Sequence, residues 1–264
     1  MLLQKGVSVR ILVRDDGSKD GTHRILDEYQ DKGLLSWYTG AHLNVQKSYL
    51  DLLKHAPQSE YYAFCDQDDV WDNDKLLYAV TELKELPKEK PSMYYCGQRL
   101  VDENLKLLSI HKISADRSAH ANFLISNVAG CTAVFNQYLV DVINSASPEF
   151  ILMHDSWLFK VCLALGGRYY ADAAPHINYR QHGDNVAGLN SGIKGKLHQV
   201  KRYLDVFEIK KQCMCLLECY GDRMTSEYKK LAEEICRYDE TVGNWLRLLY
   251  RRDFDFKSNS LNSV

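Results

Sequence analysis

Three carboxylates in four positions follow directly on a short apolar run, and this stretch constrains the fold more than any other. Residues 61–65 read Tyr-Tyr-Ala-Phe-Cys and are followed by Asp66, Asp68 and Asp69. A continuous apolar run of this length is typical of a buried strand. The acids should then lie at the carboxyl end of that strand, which is the edge where open α/β sheets bind their ligands.

Carboxylates this close repel one another and raise one another's pKa unless a cation lies between them. Oxygen-only ligands of this kind suit Mg²⁺ or Mn²⁺. The stretch therefore predicts a divalent metal site. The alternative is a polar turn that caps the next helix, with Asp72 or Asn73 as the N-cap, and the two interpretations are compatible.

A second acidic pair, Asp15 and Asp16, also follows a strand, because apolar residues alternate at strand spacing over 7–14. From there to the helix predicted over 75–86, strands and helices alternate, which is typical of a parallel sheet covered by helices. Right-handed crossovers bring both acidic clusters to the same edge of such a sheet. We therefore expect one site rather than two unrelated turns.

The middle of the chain predicts further strands and a helix over 154–165, ended by Gly166 and Gly167. Asp155 lies in the first turn of this helix, where a carboxylate is stabilised by the helix dipole. A role in capping the helix is therefore the alternative to a role in chemistry. We assign 1–192 to the main domain, 193–256 to a helical extension and 257–264 to a frayed tail.

Composition narrows the classes of function. The 264 residues carry a formal net charge of -2, whereas a nucleic-acid-binding protein needs a basic surplus. No apolar run approaches the ~18 residues that span a bilayer, and the first residues do not form a signal peptide. The eight cysteines are scattered, and half of them lie in apolar runs as reduced core thiols do. These features predict a cytoplasmic protein.

Five motifs occur in a fixed order: Asp-Asp-Gly-Ser after the first strand, Asp-Gln-Asp-Asp-Val-Trp, Gly-Cys-Thr, His-Asp-x-Trp and Tyr-Arg-Gln-His-Gly-x-Asn-Val. In this order they resemble the inverting GT-A glycosyltransferases, in particular the bacterial rhamnosyltransferase-like branch of surface polysaccharide synthesis. The resemblance covers residues 5–190. It implies an α/β, GT-A-like (Rossmann-related) fold with a mostly parallel sheet flanked by helices and a helical C-terminal extension. It also implies metal-dependent transfer of a sugar, with rhamnose expected, from a nucleoside diphosphate to a glycan or lipid-linked acceptor.

The same resemblance implies roles for single residues. Asp155 would be the general base that takes the proton of the acceptor hydroxyl. A loop histidine such as His182 is as often only a hydrogen-bonding tether. The other implied roles are Asp16, Asp66 and Arg180 for the nucleotide donor, Asp68 and His182 for Mn²⁺ or Mg²⁺, and Gly130, Cys131, Thr132 and Trp157 for the acceptor side.

One departure from the family pattern concerns the first strand and helix, which carry a Thr-Tyr-Asn-like motif in the family and have no counterpart here. Their absence would expose an edge on the neighbouring strand and weaken nucleotide binding. A catalytically impaired or non-catalytic relative that acts as a binding protein is therefore the alternative function. A nucleotidyltransferase is a weaker alternative, because the sequence has no N-terminal glycine-rich phosphate loop.

The C-terminal part predicts two long helices, over 197–219 and 224–250, that mix apolar residues with many Lys and Arg. The favoured interpretation is a helical hairpin packed on the main domain with a solvated basic face. The alternative is peripheral contact with anionic lipid at the inner membrane face, near a lipid-linked acceptor.

Overall fold

The computed structural model describes residues 1–113, 117–181 and 206–255. Within these ranges strands and helices build an α/β fold with two sheets, which confirms the predicted class. No helix in these ranges combines the length and the apolar character needed to cross a bilayer.

The smaller sheet contains strands β1 (Leu12–Asp15) and β2 (Ser36–Thr39), which pair in parallel with Leu12 opposite Ser36. Helix α1 (Thr22–Asp31) connects them, and α2 (Val45–His55) follows. Asn44 caps α2 as predicted, because its side chain accepts the Lys47 N–H at 3.0 Å.

The larger sheet has the order β3-β7-β5-β8-β4, and β6 pairs with β5 at the far end of that strand. Only the β5–β8 pair in it is parallel, so the sheet is mixed and the predicted excess of parallel pairs is wrong. The reason is that an apolar run reports burial of a strand but not its direction. The strands are β3 (Tyr61–Ala63), β4 (Val70–Trp71), β5 (Ser92–Val101), β6 (Leu107–His111), β7 (Val134–Asn136) and β8 (Arg168–Arg180).

The segment 64–69, which we call the acidic loop, joins β3 to β4. These two strands lie at opposite ends of the sheet order, so the loop must cross the end of the sheet between them. These acids therefore lie at one end of the larger sheet, whereas Asp15 and Asp16 lie at the end of β1 in the smaller sheet. The prediction that both acidic clusters share the edge of a single sheet is wrong, because the sequence does not show which strands pair.

Helix α6 (His154–Ala164) is the centre of the main core. Its residues from Trp157 to Ala164 are all buried, as expected of a helix that is apolar around most of its circumference. Around it and the sheets lie α3 (Lys75–Lys84), α4 (Ala119–Leu124), α5 (Gln137–Asn144), α7 (Val206–Tyr220) and α8 (Ser226–Cys236).

The C-terminal helices differ from the prediction at one point. The second predicted helix is divided into α8 and α9 (Val242–Leu249), because Thr241 starts a new helix by accepting the Asn244 N–H at 3.1 Å. Leu216 of α7 and Leu231 of α8 belong to the same buried cluster as Trp157 of α6. The predicted hairpin therefore packs on the main domain and shares its core. The boundary at 192 and the tail from 257 lie outside the described residues.

Truncating Leu231 tests this shared core. Leu231→Ala should lower the free energy of unfolding by about 2–5 kcal/mol, because it removes a fully buried side chain and leaves a cavity. Leu108→Ala on β6, where the side chain is 57% exposed, should change it by less than about 0.5 kcal/mol. Urea unfolding measures both, and equal losses would contradict the assigned packing of α8.

Candidate functional site

The two residues of the first acidic pair, Asp15 and Asp16, have different structural roles. Asp15 is buried, and its carboxylate accepts the Gly17 N–H at 2.8 Å and the Ser18 N–H at 2.9 Å. The Ser18 hydroxyl also donates to it, and His23 lies in hydrogen-bond contact. These bonds, led by the Ser18 hydroxyl, hold the pKa of Asp15 well below its ordinary range. Asp15 thus shapes the turn that presents Asp16.

Asp16 is held between β1 and α2. Its carboxylate pairs with the Arg14 guanidinium and accepts the Ser48 hydroxyl of α2 at 2.9 Å. Arg14 also pairs with Asp51 at 2.8 Å, so one nearly buried guanidinium ties the turn to the helix. The position predicted for nucleotide contact is therefore fixed against α2.

In the acidic loop, the carboxylates of Asp66 and Asp69 converge with the Cys131 thiol, and their ligand atoms all lie within 4.8 Å of one another. Asp68, the predicted metal ligand, is not part of this group. Burial raises the pKa of Asp69 to about 7, and the neighbouring Asp66 and Asp68 carboxylates contribute to the increase. Asp69 Oδ2 is buried without a hydrogen-bond partner among the described residues.

These features fit a divalent cation at Asp66 and Asp69. A cation would offset the repulsion between the carboxylates and satisfy the buried oxygen, and two carboxylates are donors that Mg²⁺ and Mn²⁺ accept. The Cys131 thiol is a poorer donor for such ions, because burial raises its pKa well above the ordinary value. A second convergence of Asp72, Asp74 and His176 already has internal partners, since Arg99 pairs with Asp72 and Asp172 with His176.

Lys75, the first residue of α3, is a charged group that the sequence pattern does not single out. Its side chain is fully buried, and its Nζ lies 3.4 Å from the centroid of the Trp71 ring. Nζ has no hydrogen-bond partner among the residues that the structure describes. Burial lowers the pKa of Lys75, and nearby Asp69 partly opposes this effect. A buried amine with a lowered pKa therefore lies near Asp69 of the acidic loop.

Tyr49 of α2 connects the acidic loop to α6. Its hydroxyl donates to Asp66, and its ring stacks on the His154 imidazole with 3.8 Å between centroids and 12° between planes. Phe64 packs edge-on against both rings. Burial lowers the pKa of His154 to about 4, so this imidazole is neutral near pH 7. Helical spacing identifies Tyr49 as a core residue but cannot show where its hydroxyl points.

Asp155 does not cap its helix, because the N-cap residue of α6 is Met153. The Asp155 carboxylate accepts the Gly130 N–H at 2.9 Å and the N–H of the next residue, Ser156, at 2.6 Å. A Cβ added to Gly130 would lie only 2.5 Å from His154 Nε2, so a side chain at this position would displace the imidazole. The Gly-Cys-Thr and His-Asp motifs therefore meet around the predicted base.

The predicted acceptor contacts of Cys131, Thr132 and Trp157 need correction, because all three side chains are buried. The tight 3₁₀ turn at Gly130–Thr132 buries Cys131 and Thr132, and Thr132 donates its hydroxyl to the Ala129 carbonyl at 2.7 Å. Trp157 packs beside Tyr220 in the main core. These three side chains are therefore part of the packing around the site, and Gly130 contacts Asp155 through its backbone N–H.

Arg180 is tied to the acidic loop. Its Nε donates to the Asp68 carbonyl at 3.0 Å, its backbone N–H donates to Asp69 Oδ1 at 3.1 Å, and its guanidinium also reaches the Glu103 carbonyl. These bonds fasten the loop to the end of β8. His182 lies outside the described residues.

The contacts form a continuous path through neighbouring residues of α2. Ser48 binds Asp16, and Tyr49 binds Asp66 while it stacks on His154, whose neighbour is Asp155. Acids that are far apart in the sequence therefore gather around one helix, next to the carboxylates that fit a cation.

Comparisons with known proteins find similarity to glycosyltransferases. Residues 2–143 match the family model described as Glycosyl transferase family 2. The dTDP-rhamnosyl transferase RfbG of Shigella flexneri is 27% identical over 217 residues, which is 73% of this chain and 70% of that protein. A glycosyltransferase of Rickettsia typhi is 25% identical over 177 residues, covering 64% of this chain and 54% of that protein. The crystal structure of S. aureus TarS 1–349 in complex with UDP superposes with a TM-score of 0.53 at 14% identity, over 95% of this chain and 69% of that one, and supports the fold.

The buried imidazole predicts a dependence of stability on pH. The unfolded chain binds a proton at His154 as the pH falls through 6.5, whereas the folded chain does so only near pH 4. Acid should therefore destabilise the fold through this residue by about 3 kcal/mol between these two pH values, and the contribution is absent above 6.5.

His154→Phe keeps a ring in the stack and removes the titrating group. In urea unfolding between pH 4 and 6.5, the slope of unfolding free energy against pH should be smaller than in the wild type. His42→Phe, at an exposed histidine, is the matched control and should keep the wild-type slope. An unchanged slope in His154→Phe would contradict a neutral, buried His154.

Proposed function

This chain belongs to glycosyl transferase family 2, and on that premise we propose that it transfers a sugar from a nucleoside-diphosphate donor to a glycan or lipid-linked acceptor in surface polysaccharide synthesis. The transfer is metal-dependent and inverts the anomeric carbon. Rhamnose is the proposed sugar, because a relative of 27% identity is named a dTDP-rhamnosyl transferase. All eight cysteines lie in described residues and are free thiols, which supports a reducing, cytoplasmic setting.

The observation that carries the proposal is the gathering of Asp66, Asp69 and Asp155 around the Tyr49–His154 stack, with Asp66 bound to Tyr49 and Asp155 next to His154 in the chain. Glycosyl transfer with inversion needs these two groups of acids to be close and distinct. One group must bind the diphosphate leaving group through a cation, and the other must take a proton from the acceptor.

On the donor side, Asp16 and Asp66 bind the nucleoside part of the donor. A structural neighbour of the same fold was solved with UDP, which supports a nucleoside diphosphate as the ligand class. Arg180 contributes by holding the acidic loop in place, since its guanidinium donates to the Asp68 and Glu103 carbonyls.

The cation, Mn²⁺ or Mg²⁺, is held by the acidic loop. Asp66 and Asp69 are the carboxylates that converge, and Asp68 is the ligand that the family resemblance implies. When bound, such an ion supplies Lewis-acid neutralisation of the charge on the diphosphate. The buried Lys75 amine lies near the same loop, over the Trp71 ring and close to Asp69.

On the acceptor side, Asp155 removes the proton of the acceptor hydroxyl. The new bond forms between that oxygen and the anomeric carbon, and the bond from this carbon to the diphosphate oxygen breaks, with its electron pair leaving on the diphosphate. Backbone N–H groups of Gly130 and Ser156 fix the orientation of the Asp155 carboxylate, so that proton removal and attack occur on one face.

Calorimetric titration of dTDP and UDP with and without Mn²⁺ tests the donor side. Wild type should bind at least one of the two nucleotides, and this binding should require Mn²⁺. Asp69→Asn or Asp68→Asn should weaken nucleotide binding by about tenfold or more, as loss of a metal contact does. The variant with the larger loss of affinity identifies which of the two carboxylates, Asp68 or Asp69, binds the metal. Asp31→Asn, at an exposed acid of α1, is the control and should bind as wild type does.

Asp155→Asn separates binding from chemistry. It should bind the nucleotide normally and lose sugar transfer, because only the base is removed. Wild-type protein that shows no metal-dependent nucleotide binding would contradict the proposed transferase. Wild-type protein that binds the nucleotide and a glycan but transfers nothing would favour the non-catalytic alternative.

A further inference from the structure

Helix α9 has an apolar face that points to solvent. The exposed fractions are 74% for Val242, 48% for Trp245, 39% for Leu246 and 78% for Tyr250, which follows the helix. Spacings of three and four residues place these side chains on one stripe of the helix. By contrast, the apolar residues of α8 point inward and are buried.

The exposed stripe does not result from a loosely attached helix. On the opposite side, Leu248 packs against the main core and the Asn244 side chain donates to the Arg237 carbonyl at 2.9 Å. Directly after the helix, Arg251 pairs with Glu234 of α8, and the Ser118 hydroxyl donates to the Asp253 carbonyl at 2.7 Å. The helix is therefore anchored at both its inner face and its C-terminal end, and its apolar stripe is presented outward.

The charges around the stripe favour one kind of partner. The segment 241–252 contains three arginines and no Asp or Glu. Arg247 and Arg252 are exposed and form no ion pair with any described residue. Guanidinium groups at the margin of an apolar stripe that contains Trp and Tyr are the combination that binds an anionic lipid surface.

Helix α1 provides an internal comparison. It also exposes apolar side chains, Ile25 and Tyr29, but its sequence contains Asp27, Glu28 and Asp31. These acids would be repelled by anionic lipid headgroups. Exposed apolar side chains next to Arg247 and Arg252, which have no ion pair among the described residues, therefore distinguish α9 from α1.

We propose that α9 and Tyr250 form a membrane-docking surface, in which the apolar stripe enters the interfacial region of an anionic bilayer while Arg247 and Arg252 contact lipid phosphates. A single short helix of this kind gives weak, reversible binding. Docking of this surface does not require the transferase activity proposed above, and it would hold the protein at a surface where lipid-linked acceptors reside.

Sedimentation of the full chain with vesicles tests this proposal. Wild type should bind vesicles of phosphatidylcholine with phosphatidylglycerol at low ionic strength, and should bind less at high ionic strength, because salt screens the charges. Vesicles of phosphatidylcholine alone should bind much less. Equal binding to both kinds of vesicle, or no binding to either, would overturn the proposal.

Two substitutions separate the apolar and the basic contributions. Leu246→Glu should reduce the bound fraction to background, and the double change Arg247→Glu with Arg252→Glu should weaken binding by about tenfold or more. Ile25→Glu on α1 and Lys88→Glu, an exposed lysine, are the matched controls and should bind as wild type does. All of these positions are exposed, so circular dichroism should show unchanged folding.

Self-association through the same stripe is the competing outcome. The protein could instead form a dimer in solution that Leu246→Glu abolishes, without binding vesicles. That result would overturn the proposal and identify a second copy of this chain as the partner. Vesicle binding by Leu246→Glu at the wild-type level would overturn it as well.

Discussion

The repulsion between two half-buried carboxylates is the constraint on which the rest of the site depends. Asp66 and Asp69 are brought together because the loop that carries them must cross the end of the sheet, from β3 at one end of the strand order to β4 at the other. Burial, with a contribution from the Asp66 and Asp68 carboxylates, raises the pKa of Asp69 to about 7. A cation would relieve the repulsion between these carboxylates, and Arg180 holds the loop in place through hydrogen bonds to Asp68 and Asp69.

The proposed base, Asp155, is positioned by packing and backbone hydrogen bonds rather than by charge. Tyr49 binds Asp66 through its hydroxyl and stacks on His154, which in turn leaves no space for a side chain at Gly130. Because Gly130 can approach closely, its N–H reaches Asp155. A change in any of these groups should therefore affect both the metal side and the base side, which is the coupling that a displacement reaction at one carbon requires.

Much of this could be predicted from the sequence, and the failures have physical causes. The acids that follow apolar runs predicted that the carboxylates lie at the ends of strands, and Asn44 predicted the start of α2. Both predictions succeeded because strand ends and helix caps are local features. The choice of Asp69 over Asp68 in the converging group depends on how the loop crosses the sheet, which no local pattern contains. Trp157 and Cys131 lie in motifs that resemble an acceptor site, yet the 3₁₀ turn and α6 direct them into the core. The division of the last predicted helix at Thr241 follows from a cap that competes with continued helical periodicity.

The proposed binding of a divalent cation by the acidic loop, in contact with the donor diphosphate, can be tested by locating the metal. Anomalous diffraction from crystals of the protein soaked with Mn²⁺ and a nucleoside diphosphate tests it most directly. One manganese peak is expected within about 2.2 Å of carboxylate oxygens of the acidic loop, the distance typical of Mn²⁺ and Mg²⁺ ligands. A peak at Asp72, Asp74 and His176 instead, or nucleotide bound with no metal at the loop, would contradict it.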